Sequence, residues 1–173
     1  MTVQVPDSFF TGGNTMFKPV ITALTLTTAA ALAFTASAQN TPTPEERAVT
    51  ATETRQAVFK LLGYNMAPIN AMVRGEAPFD AEIIERNAQR VGALAPMIPE
   101  LFEMADTRSF TVETRALPGI WDNQEDFREK AADLESAAGT FASVAAGGDQ
   151  TQIMGAVRAF GSTCGNCHDV YRD

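Results

Sequence analysis

The chain has little of several residue types that usually carry function. Its 173 residues include one histidine, one tryptophan, two tyrosines and two cysteines. Two cysteines exclude a disulfide-stapled scaffold. Thirteen basic residues against 21 acidic ones leave a net charge of −8, so the basic face that a nucleic-acid partner needs is missing. No stretch of β-branched residues alternates with polar ones between turn signals, and strands are therefore not expected. What remains, 45% hydrophobic and 20% charged, suits one ordinary globular core and excludes disorder over most of the length.

Residues 20–34, VITALTLTTAAALAF, form an uncharged apolar run, with Lys18 before it and Ala36-Ser37-Ala38 after it. This is the layout of a secretory signal peptide with a small-x-small cleavage site. The run falls short of the roughly 20 apolar residues a membrane-spanning helix needs; an uncleaved anchor is the alternative. Residues 1–15 carry no Lys or Arg and one Asp, a poor signal start, so translation is expected to begin at Met16. Residues 1–38 are thus read as the signal and 39–173 as the mature domain, exported to a periplasm, with no membrane attachment after cleavage. Removing Lys18 and Asp7 leaves the charge unchanged at −8.

Downstream, the apolar spacing is helical throughout. Thr41-Pro42-Thr43-Pro44-Glu45-Glu46 supplies a cap and first-turn acids. Arg55, Phe59, Leu62, Met66, Ile69 and Val73 then recur at steps of three and four. Gly75 and Pro78 close this helix, and Pro68 predicts a kink or local break in it. Asp80 caps a second helix with Ile84, Ala88, Val91, Ala95, Ile98 and Phe102 on one face, bent by Pro96 and Pro99. Residues 106–119 lack periodicity and form the longest loop. Asp122 or Asn123 caps a third helix bearing Phe127, Ala131, Leu134, Ala138, Phe141 and Ala145. Gly147-Gly148 ends it, and Asp149 caps a fourth with Ile153, Val157, Phe160, Cys164, Cys167 with His168, and Tyr171 on one stripe. The predicted fold is all-α, an antiparallel four-helix bundle, and core packing accounts for most of these positions.

Cys164-Gly165-Asn166-Cys167-His168 places both cysteines and the single histidine together on the last helix. C-x-x-C-H is the attachment signal for c-type haem. Thiols three residues apart on a helix occupy neighbouring positions on one face, where they can add to the two haem vinyl groups. The adjacent histidine then reaches the iron with an imidazole nitrogen. Attachment consumes both thiols, which explains their escape from a disulfide in an oxidising compartment. Three other readings fit less well. A thioredoxin-like pair follows a strand, and none precedes this helix. A zinc site needs a fourth ligand, commonly Cys or His, and the chain has no other. A disulfide within one helical turn is strained. Only residues 169–173 follow His168, none of them Met, so a sixth iron ligand has to come from an earlier helix.

The chain resembles the cytochrome c′ family, haem proteins built as antiparallel four-helix bundles with the motif near the C-terminus. The matching residues are Arg55-Gln56, the turn Gly75-Glu76-Ala77-Pro78-Phe79-Asp80, Ile120-Trp121, and Cys164 to His168 followed by Tyr171-Arg172. They span about residues 48–172. The resemblance implies one covalent haem c with His168 as axial iron ligand, five-coordinate and high-spin. It also implies a hydrophobic side chain over the far face of the haem, four residues after the matching Arg, which is Phe59. Relatives with six-coordinate, low-spin haem carry Met there. Met66, two turns along the same stripe, is the rival ligand. Arg172 borders the proximal pocket, where nitric oxide replaces the histidine in the family, or else it is a solvated helix-end cation. Arg55 pairs with a haem propionate, or is a surface charge. Phe102 matches a distal-pocket aromatic, or is ordinary core; Trp121 is structural. Met72, Met97, Met104 and Met154 are fillers.

The function implied is binding of nitric oxide, carbon monoxide or another small gas at ferrous iron, with one-electron redox toward an unidentified partner. The alternative is a six-coordinate electron carrier. Enzymatic turnover is not expected, since no second histidine is present and no acid–base residue accompanies Phe59. The resemblance also implies a homodimer through the first two helices, where Leu61 and Ile83 are candidate interface residues.

Overall fold

The computed structural model describes residues 41–173, so the expected signal peptide and the start at Met16 lie outside the described residues. Six helices follow in order: α1 (Pro44–Val73), α2 (Ala81–Leu94), α3 (Met97–Glu103), α4 (Gly119–Asp122), α5 (Gln124–Ala146) and α6 (Gln150–Tyr171). The four long ones, α1, α2, α5 and α6, form the bundle; α3 and α4 are short pieces around the long connection. Among the described residues the only β-type pairing is an isolated antiparallel bridge between Ala116 and Arg172.

Local chemistry sets the helix ends. At α1, Thr43 Oγ1 accepts from the Glu46 N–H (3.1 Å) while Glu46 Oε2 accepts from the Thr43 N–H (2.7 Å). This capping box precedes Pro44, whose missing N–H costs nothing in the first turn. Asp80 and Asp149 cap α2 and α6 by accepting from the N–H groups of Ile83 (3.0 Å) and Gln152 (2.9 Å). Gly75 and Gly148 each hold φ at +72°, a left-handed turn that a Cβ would strain. These match the expected boundaries. Asn123 occupies the cap position of α5, but its side chain does not cap; its amide donates to the Gly119 carbonyl instead (3.3 Å).

Two proline expectations change. α1 runs unbroken through Pro68. The lost bond is one of many in a 30-residue helix, and the carbonyl it frees belongs to Tyr64, whose side chain stands in solvent. The second predicted helix, by contrast, is broken rather than bent: α2 stops at Leu94 and α3 starts at Met97. Pro96 cannot donate to the Gly92 carbonyl, and its ring collides with that carbonyl's turn. Pro99 sits in the first turn of α3, where no intrahelical donor is needed.

α2 packs most extensively on α5, α5 on α6, and α1 on α2, whereas α1 and α6 make little direct contact. Gly92 faces Ala138 across the α2–α5 contact, where an added Cβ would make ordinary van der Waals contact at 3.5 Å. The core between α5 and α6 centres on Phe141 and Phe160, both almost fully buried, with stacked rings 4.9 Å apart. Phe59 lies on α1 and the two cysteines lie on α6.

Candidate functional site

On α6, one turn carries Cys164, Cys167 and His168, all half-buried. Both sulfurs are free thiols and both cysteines pack against the core. Burial pushes the Cys164 thiol up, opposed by its hydrogen bonds to Thr163 and its own backbone. Burial also raises the Cys167 thiol, and the nearby Lys130 ammonium pulls it back. Both are neutral thiols at pH 7, protected from casual oxidation. Burial lowers the His168 imidazole first, and the Arg172 charge lowers it further, with Asp169 opposing. His168 is thus held neutral, the form that offers a nitrogen lone pair to a metal.

Arg172, at the C-terminal end of α6, brings Nη1 within 3.3 Å of both His168 ring nitrogens. A nitrogen equidistant from both sits over the imidazole face and not along either in-plane lone pair. The guanidinium is thus in direct contact with the imidazole. The Arg172 backbone is anchored as well. Its neighbour Tyr171 accepts through its carbonyl from the Leu117 N–H (3.0 Å), and the Asp173 N–H donates to the Arg115 carbonyl (2.9 Å). The loop of residues 104–118 is thereby stitched to the end of α6.

A row of rings links α1 to α6. Phe59 on α1 lies 6.5 Å, edge-on, from Phe102 of α3. Phe102 lies 5.1 Å from Phe127 of α5, and Phe127 lies 5.2 Å from Tyr171 of α6. Tyr171 is one helical turn beyond Cys167. The row connects Phe59 to the turn of α6 that follows the cysteines and His168. Met66, seven residues on, is displaced from Phe59 along α1 by about 10 Å of helix rise and packs against the core. Phe59 keeps 41% of its surface exposed although its neighbours are aromatic. Phe102 is 3% exposed and is both core and the ring that Phe59 meets.

Arg55 is not the surface charge offered as its alternative role: it is 4% exposed. Its Nε donates to the Leu101 carbonyl (3.1 Å), Nη1 to Thr107 Oγ1 (3.1 Å) and Nη2 to the Ala105 carbonyl. Its guanidinium carbon lies 4.5 Å from the Phe102 ring centre and 5.5 Å from that of Trp121. Burial lowers its pKa and the Asp106 charge raises it again. Three of its five N–H groups are thus committed to protein acceptors. Trp121 is structural, as expected, its Nε1 donating to the Phe102 carbonyl (3.2 Å).

Several contributors carry no sequence signal. Thr107 is a lone threonine in an aperiodic loop. The Tyr171 hydroxyl donates to Asp126 Oδ2 at 2.5 Å, joining residues 45 positions apart. Gln56 donates to the Glu113 carbonyl (2.8 Å), a tie between α1 and the same loop. Only Gln56 and Tyr171 fell within the family pattern.

Among the described residues no three His, Cys, Asp or Glu side chains converge to hold a metal ion by themselves. One neutral imidazole beside two half-buried thiols is instead the donor set of a covalently tethered macrocycle whose own nitrogens complete the metal's ligands. The residues present fit haem c. A family model described as cytochrome C′ matches residues 50–172. The chain belongs to the cytochrome c′ family. It is 36% identical over 121 residues to a cytochrome c-554 of Cereibacter sphaeroides, covering 69% of this chain and 90% of that protein. Its structure resembles cytochrome c prime from Shewanella frigidimarina with a TM-score of 0.65 and 36% identity, over 73% of this chain and 96% of the other. A nitric oxide complex of a mutant cytochrome c prime from Alcaligenes xylosoxidans matches with a TM-score of 0.60 and 26% identity, over 71% and 94%. The cytochrome c′ fold, a four-helix bundle, and one covalently attached haem c as cofactor follow from this membership.

Proposed function

We propose that this cytochrome c′ is an exported, periplasmic protein that holds its haem five-coordinate and high-spin, binds nitric oxide or carbon monoxide at the iron, and undergoes one-electron redox with an unidentified partner. When bound, the haem supplies an iron that changes between ferric and ferrous states and accepts one small diatomic ligand. Cys164 and Cys167 tether it by thioethers, and His168 gives the iron its protein ligand. Burial, and then the adjacent Arg172 guanidinium, disfavours protonation of His168, and Arg172 would present a cation to a ligand that displaced the imidazole.

The carrying observation is Phe59. It heads the row of rings that ends one turn beyond Cys167, which supports reading it as the side chain over the haem, and a benzyl ring has no lone pair to give a metal. With Phe102 beside it, it offers no hydrogen-bond donor to a polarised ligand such as dioxygen. Nitric oxide and carbon monoxide need no such donor. The solved nitric oxide complex of a family member supports the same ligand class here. Catalytic turnover has no support from this pair, which lacks a proton-transferring group.

The deciding measurement is the optical spectrum of the purified holoprotein, ferric and ferrous, with and without nitric oxide. A high-spin ferrous spectrum that converts on adding the gas is expected. A low-spin spectrum that Met66→Ala turns high-spin would establish the six-coordinate electron carrier instead. Export is checked by N-terminal sequencing, with Gln39 expected first; a start upstream of residue 34 overturns it. No helix among the described residues is long and apolar enough to cross a membrane. A homodimer through α1 and α2 is favoured by Leu61 and Tyr64, 50% and 72% exposed on α1, whereas Ile83 packs largely within its own subunit. Sedimentation of wild type against Leu61→Glu tests it, with the variant expected to be monomeric.

A further inference from the structure

Among the described residues Arg55 is the only charged side chain that is buried, and its surroundings explain why the charge is tolerated. α3 is seven residues long, too short to stand alone, and the carbonyls of its last turn have no helical partner. Arg55 Nε takes that of Leu101, and Trp121 Nε1 takes that of Phe102. A cation at a helix C-terminus is also where the helix dipole favours it. The other two guanidinium nitrogens hold Ala105 and Thr107 in the segment that follows the helix.

The same guanidinium covers the Phe102 ring at 4.5 Å. Phe127 and Trp121 close on that ring from 5.1 and 5.6 Å, and Phe59 meets it at 6.5 Å. Phe102 is therefore fixed twice by one side chain, through its helix backbone and through its ring, and it is the surface against which Phe59 rests. We propose that Arg55 is a positioning residue for the apolar wall over the haem, acting through Phe102 to set how far Phe59 can yield to an entering gas. The inference rests on the gas-binding reading. It differs from a propionate-pairing role because what matters is the planar fork with three fixed donors, which a lysine's single rotatable ammonium cannot reproduce.

Carbon monoxide association with the ferrous holoprotein, followed by flash photolysis, tests it as a double-mutant cycle. Arg55→Lys and Phe102→Leu should each speed association by about tenfold, the kinetic equivalent of one lost packing contact of this kind. In the Phe102→Leu background, Arg55→Lys should change the rate less than about twofold, since the residue it acts through is gone. The reduction potential of Arg55→Lys should match wild type, because the charge is retained. Additive rate effects overturn the proposal. So does an Arg55→Lys rate equal to wild type paired with a shifted potential in Arg55→Met, the signature of a charge acting on a propionate. If Arg55→Lys yields no holoprotein, Thr107→Val takes its place in the cycle, removing one acceptor and keeping the guanidinium; the same non-additivity is expected. A wild-type protein that takes up no carbon monoxide defeats the gas-binding reading itself, whereas uptake with additive variants defeats only this inference.

Discussion

Phe59 and Tyr171 each link the cytochrome c′ site to a single measurable property. Replacing Phe59 with Met puts a thioether where a benzyl ring stands. Phe59→Met is expected to turn the ferrous spectrum low-spin and to slow carbon monoxide binding by at least about tenfold, because a bound sulfur has to leave first. An unchanged spectrum would mean that Met cannot reach the iron from this position. Tyr171 is buried against Phe127, and burial, followed by its hydrogen bond to Asp126, pushes its pKa up to about 12. The unfolded chain loses the phenolic proton near about pH 10. Between those values the folded state binds more protons, so stability is complete below pH 10 and falls as pH rises toward 12. Urea unfolding across that window should show the decline in wild type and a flatter profile in Tyr171→Phe. At neutral pH the same variant should cost about 1 kcal/mol, the net worth of one hydrogen bond.

At the scale of elements, α6 presents the haem motif and the turn before it sets where α6 begins. Asp149→Ala removes the cap on the Gln152 N–H and should cost about 1 kcal/mol, leaving haem content unchanged because Cys164 lies well inside the helix. Phe141→Ala should cost more, about 3–5 kcal/mol, since it empties one half of the stacked pair with Phe160. Denaturant midpoints of the two holoproteins give the comparison, and an equal loss in both would contradict the burial of Phe141. Nearly all of the long helices could be read from spacing and caps: Thr43, Asp80 and Asp149 act locally, and local rules predict local bonds. Pro96 against Pro68 could not. Both are interior prolines, yet one ends a helix and the other leaves it continuous. The long helix α1 absorbs a missing bond beside an exposed turn, whereas the chain at Pro96 has to turn to bring α3 onto Arg55.

Over the whole molecule the net charge is −8, and the one buried charged side chain among the described residues is the cation Arg55, so the outer surface is predominantly acidic. Ferrous holoprotein is expected to reduce a cationic small-molecule oxidant faster than an anionic one of equal potential at low salt. The difference should shrink as ionic strength approaches about 0.15 M, where screening acts over roughly 8 Å. Equal rates at low salt would show that the exposed haem edge lies outside this field. A physiological redox partner should by the same reasoning present a basic face.

The order of residues alone established the haem attachment signal, the helical period, the caps and the family, because each depends on neighbours within a few positions along the chain. Which side chains face each other was decided only by packing. Arg55 looked like a propionate partner or a surface charge, and folding buried it under α3, where carbonyls from Leu101 and Ala105 and the hydroxyl of Thr107 converge from some 50 positions away. The row from Phe59 to Tyr171 likewise exists only once the helices have closed on one another. Contacts of that reach have no period and no fixed spacing. They are consequences of which apolar faces had to leave water together.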